Sequence, residues 1–68
     1  MIEVKRLIKK WDLQNTLCKK TGIVSGVFTK KMDITGKYTH FFNEKEEKDL
    51  KNNLLLMATE IINLLANQ

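Results

Sequence analysis

Residues 13–33 read LQNTLCKKTGIVSGVFTKKMD. Leu13, Leu17 and Cys18 share one face at helical spacing, Gly22 follows Thr21 where a helix needs a left-handed stop, and Val24, Val27, Phe28 and Met32 resume a helical repeat. The spacing predicts one helix over about 13–20, a tight turn, and a second helix over about 24–32, the pattern of a helix-turn-helix. The second helix is expected to bury Val24 or Val27, Phe28 and Met32. It then turns Ser25, Gly26, Thr29, Lys30 and, at its end, Asp33 outward.

Upstream, Val4, Leu7, Ile8 and Trp11 follow the i, i+3, i+4, i+7 rule, with Lys5, Arg6, Lys9 and Lys10 on the other side, so an amphipathic helix over 2–11 with Trp11 as a core anchor is expected. Asp12 reads as the N-cap of the next helix, because its carboxylate can accept bonds from the free amides of a first turn; an acidic group there also suits a basic partner surface. Downstream, DITGKYTHFF (33–42) has no helical stripe. Thr35-Gly36-Lys37 marks a turn, with Ile34, Tyr38, Phe41 and Phe42 available to plug the core. The alternative for 32–42 is a short β-hairpin, which makes a winged helix with Lys37 at the wing tip.

Asn43 caps a last helix that runs to about Ala66, with Glu44, Glu46 and Glu47 in the first turn where the helix dipole favours them. Leu50, Leu54, Met57, Ile61 and Leu64 form a seam, and Leu55, Ala58, Ile62 and Leu65 widen it to about half the circumference. One stripe closes a small core. The second calls for a homodimer or another protein partner. The expected architecture is all-α: one domain over 1–68, a bundle of about four helices ending in a long amphipathic one.

At 68 residues without proline, the chain has length for one modest core. No run approaches the about 18 apolar residues that a membrane span needs, and MIEVKRLIKK is too charged for a signal peptide, so a cytoplasmic protein is expected. Cys18 excludes an internal disulfide and reads as a small apolar residue of the core; with His40 it makes no zinc ligand set. His40 has no nucleophile or carboxylate arranged near it in sequence, and nothing predicts an enzyme, cofactor or small-molecule ligand. Charge is divided: residues 1–40 carry nine Lys or Arg against three acids, net +6, and residues 41–68 carry three against five, net −2. A basic motif half attracts phosphate, an effect that salt weakens.

Gln14, the pair Leu17 and Cys18, the turn Thr21-Gly22-Ile23, and Phe28 together resemble the small helix-turn-helix regulators of the lambda-repressor and Cro kind, many of them from phages or prophages. The match is close over about a third of the chain. It departs at Val24, where a capping serine is common and Ser25 comes one place later, at Gly26, a usual place for a polar reader, and at Lys31, a usually apolar position. The resemblance implies a transcriptional regulator in a bacterial host's cytoplasm, with Ser25, Thr29 and Lys30 in the major groove of double-stranded DNA and Lys19, Lys20, Lys31 and Lys37 on phosphates. The second helix has no Arg, Asn or Gln for bidentate base contacts, so weak base discrimination is expected. A repressor protein is the alternative partner, bound as antirepressors and modulators of repression bind. The apolar Val24, Gly26 and Val27 and the broad final helix suit that role.

Overall fold

The computed structural model of the chain describes residues 1–37 and 40–68. Four helices follow one another: α1 (Ile2–Lys10), α2 (Gln14–Thr21), α3 (Ser25–Lys31) and α4 (Glu44–Ala66), with no strand among the described residues. The all-α expectation holds, and the hairpin alternative at 32–42 does not appear among the described residues. Tyr38, expected to help plug the core, lies outside them.

The two stops that shape the chain have different origins. Gly22 sits at φ 76° after α2 and donates its amide to the Cys18 carbonyl at 2.9 Å. A Cβ there would meet nothing within 4 Å, so the left-handed backbone is what favours glycine. Asp12 also takes a positive φ, 53°. The amide of Asp12 reaches the Lys9 carbonyl at 3.3 Å and that of Leu13 reaches Ile8 at 2.9 Å, so Asp12 ends α1 instead of capping α2. The position before α2 belongs to Leu13, which makes no side-chain cap. The expected N-cap is thus corrected: with three residues between the helices, the chain must reverse at once, and Asp tolerates the left-handed region better than most residues.

Ile8, Leu17, Phe28, Met32, Phe42 and Leu50 form the buried core, ringed by half-buried Met1, Val4, Leu13, Cys18, Ile23, Leu54 and Met57. Phe28 and Phe42 meet edge to face with ring centroids 5.2 Å apart. Burial pushes the Cys18 thiol up, in keeping with its apolar place.

Several expectations about the core change. Trp11 is 64% exposed and Leu7 is half out, while Lys5 is buried at 7%. The bundle meets α1 along Lys5 and Ile8, which rotates the apolar stripe onto a flank. Lys5 runs its stem across the core, donates from Nζ to the Asp33 carbonyl at 3.1 Å, and stands 5.8 Å from the Phe42 ring centre. Val24 is 70% exposed and Val27 half-exposed, because α3 has two turns and Phe28 and Met32 fill its inner face. In the connecting segment Phe42 takes the core position, leaving Phe41 and Ile34 outside.

α4 begins with a capping box: the Asn43 side chain accepts from the Glu46 amide at 2.8 Å and the Glu46 carboxylate accepts from the Asn43 amide at 2.9 Å. Both Glu46 oxygens also accept from Lys31 Nζ, at 2.7 and 2.8 Å, tying α3 to α4. Leu50 is buried and Leu54 and Met57 are half-buried, but every residue from Ala58 onward is exposed. At about 1.5 Å per residue the last nine helical positions extend about 13 Å past the core, in a molecule measuring 45 × 21 × 19 Å.

The Lys31 ammonium, and after it the Asn43 amide, hold the Glu46 carboxyl below its ordinary range. A depressed carboxyl stabilises the fold above its unfolded pKa, and the stabilisation is lost as pH falls through the lower folded value. Glu46→Gln keeps an acceptor for the cap and removes the ion pair, so it is expected to cost about 1 kcal/mol at neutral pH, or about 4–8 °C of Tm. In thermal melts the gap between the two proteins should close as pH falls below about 4.3; a gap independent of pH counts against the ion pair.

Candidate nucleic-acid interface

The turn Gly22–Val24 sets α3 across α2; one side-chain hydrogen bond joins the pair, and one more lies within each helix. Gln14 Nε2 donates to Thr29 Oγ1 at 2.7 Å, joining the first turn of α2 to the middle of α3. Thr29 Oγ1 in turn donates to the Ser25 carbonyl at 3.0 Å, and Thr21 Oγ1 donates to the Leu17 carbonyl at 2.7 Å at the end of α2. Phe28 and Met32 pin α3 to the core from beneath. The outer face therefore carries Ser25, Gly26, Thr29 and Lys30, all exposed, beside the exposed Val24. A Cβ on Gly26 would meet nothing within 4 Å, so another molecule can approach the backbone there.

The bracing changes what Thr29 can read. Its hydroxyl hydrogen is committed to the Ser25 carbonyl and one lone pair to Gln14, which leaves the methyl as its main outward feature. Sequence spacing put Thr29 on this face but could not show that Gln14, 15 residues away, occupies it.

Comparison with protein-family models, with curated proteins and with solved structures finds no match.

The lysines divide into two sets. Lys19 and Lys20, in the last turn of α2, and Lys30, in the last turn of α3, are exposed next to the motif. Lys31 is not on that surface: its side chain is 16% exposed and ion-paired with Glu46, a correction to its expected phosphate role. One helical position separates Lys30 from Lys31, about 100° of arc, and that step carries Lys31 under α3. Lys37 is exposed in the connecting segment, where its amide donates to Thr35 Oγ1 at 3.4 Å. Asp33 lies just past α3, half-buried. Its Oδ1 accepts from the Thr35 amide and hydroxyl at 3.2 and 2.7 Å, a turn-forming role instead of an outward one.

The residues expected at a protein interface fall elsewhere. Asp12 is exposed at the α1–α2 corner, and Leu55, Ala58, Ile62 and Leu65 are exposed along α4. A feature that sequence spacing missed lies between them: an apolar groove of about 470 Å³ lined by Leu7, Trp11, Leu13, Leu54, Met57 and Ile61 with Ala58. It exists because Leu7 on the flank of α1 and Trp11 just past its end, both expected in the core, stand outside it. Among the described residues no three His, Cys, Asp or Glu side chains gather as a metal site, and no helix is long and apolar enough to cross a membrane.

Proposed function

We propose that the protein is a helix-turn-helix regulator that binds double-stranded DNA through α3, in the manner of the lambda-repressor and Cro regulators it resembles. The observation that carries this reading is the exposed face of α3, braced by the Gln14–Thr29 bond and flanked by Lys19, Lys20 and Lys30. A rigid helix with a basic border suits docking into a major groove, with lysines on the flanking phosphates. Base reading falls to Ser25, Lys30 and the Thr29 methyl, which can touch a thymine methyl. Affinity then rests on phosphate contacts, with modest discrimination among sequences.

One observation favours a second reading. Val24 is 70% exposed at the tip of the motif, with half-exposed Val27 beside it and Gly26 between them, an apolar tip that suits a protein surface better than a base edge. In that role the same face binds a repressor protein, as an antirepressor does.

An amide-resolved NMR titration with a mixed-sequence duplex at low and moderate salt tests the first reading. Shifts gathered at 25–30 and at Lys19 and Lys20, fading as salt rises, are the expected result. Absence of shifts at low salt overturns DNA binding and leaves the protein-binding reading.

A further inference from the structure

We propose that two copies of the chain pair through α4, each laying its projecting C-terminal turns into the groove between α1 and α4 of the other. At about 100° per residue, Leu50, Leu54, Met57, Ile61, Leu64 and Leu65 lie within about 100° of arc, so they form one seam. Its first half is covered by the protein's own core: Leu50 is buried and Leu54 and Met57 are packed against it. Its second half is bare, with Ile61 57%, Leu64 61% and Leu65 66% exposed.

The bare half is a projecting apolar rod, and directly beside it lies the apolar groove walled by Leu7 and Trp11. A rod and a groove on one seam of one molecule are self-complementary, the condition that a two-fold pair satisfies. An antiparallel pair with its axis near Ile61 sets Ile61 against Ile61. It brings Leu65 of each copy over Met57 of the other, and Leu64 beside Ala58.

Area and charge both favour a second copy as the occupant. Leu7, Trp11, Ile61, Leu64 and Leu65 are exposed, and at roughly 100 Å² for each large apolar side chain they offer about 500 Å² per copy, to which the groove-lining Leu13, Leu54, Met57 and Ala58 add. Standard interfaces bury about 600–1,000 Å² on each partner. After Lys51 the chain carries one charged side chain, Glu60, and it falls about 100° away from Ile61 on the helix. Two α4 seams therefore meet without like charges opposed, and at the α1 wall of the groove Lys10 stands 5.9 Å from the Trp11 ring centre.

Trp11 is the chain's single tryptophan, and pairing should cover it. The test is sedimentation equilibrium together with Trp11 emission, on wild type, on Leu64→Lys/Leu65→Lys and on Leu56→Lys. All three substituted residues are exposed in the single chain, so circular dichroism should show each variant folded. Wild type and the Leu56→Lys variant, whose change lies off the seam, are expected at twice 7.9 kDa with blue-shifted emission that reverts on dilution. The double variant is expected at 7.9 kDa with solvent-exposed emission. Wild type that stays at single-chain mass up to about 1 mM, where even a weak pair is visible, overturns the proposal and leaves the groove to a different polypeptide. A dimer that persists in the double variant, or whose Trp11 emission ignores dilution, overturns it as well. Mass and emission are read without DNA, so failure of pairing and failure of DNA binding remain distinguishable.

Discussion

Phe28→Ala is expected to abolish stable folding at physiological temperature. Phe28 is fully buried, stacks edge-on against Phe42, and lies in a core of six buried apolar residues. Truncating a buried Phe costs about 3–5 kcal/mol through lost transfer free energy and the cavity left behind. A domain of this length has about 3–10 kcal/mol in total, so the loss can equal the whole margin. The expected fall in Tm is about 12–40 °C. Loss of the cooperative transition in a thermal melt followed by circular dichroism checks this. A Tm drop of a few degrees would mean that Phe42 and Met32 collapse into the space and that the core is not centred on α3.

A Lys19→Ala/Lys20→Ala/Lys30→Ala variant is expected to keep its Tm and lose DNA affinity by about three orders of magnitude near 50 mM salt. Each phosphate neutralised contributes about 0.9 to the slope of log K against log salt, so Lys19 and Lys20 account for about 1.8 of that slope, and Lys30 adds a base contact of about 1–3 kcal/mol. The substituted residues are exposed and off the core, which is why the fold should not respond. Lys31→Ala makes the opposite prediction: it breaks the tie to Glu46 and lowers Tm, with no such change in the salt slope. Fluorescence anisotropy with a labelled duplex at several salt concentrations reads both. An unchanged slope in the triple variant removes the α2–α3 edge from the DNA interface.

These predictions separate residues that sequence spacing could not. Lys30 and Lys31 are adjacent and chemically identical, and nothing local says which of them α3 turns inward. Phe41 and Phe42 pose the same ambiguity, settled by a contact with Phe28 that spans 14 positions of chain.

What the sequence determines alone is local. Helical repeats of apolar residues, a glycine where the backbone must turn left-handed, and an asparagine with a glutamate three places on are short-range signals, and they place α2, α3 and α4 within a few residues of their observed bounds. The outward set Ser25, Gly26, Thr29 and Lys30 follows from the same periodicity. What the tertiary structure decides is how each helix is rotated about its axis and what covers it. A turn of α1 by about 60°, little more than half of the 100° between neighbouring residues, keeps Val4 and Ile8 inward while Lys5 becomes buried and Leu7 and Trp11 swing out. The length of α4 was legible, but the point where the bundle stops covering it was not. That point depends on where α1 and α2 end in space, and it turns half of an apolar seam into an open surface.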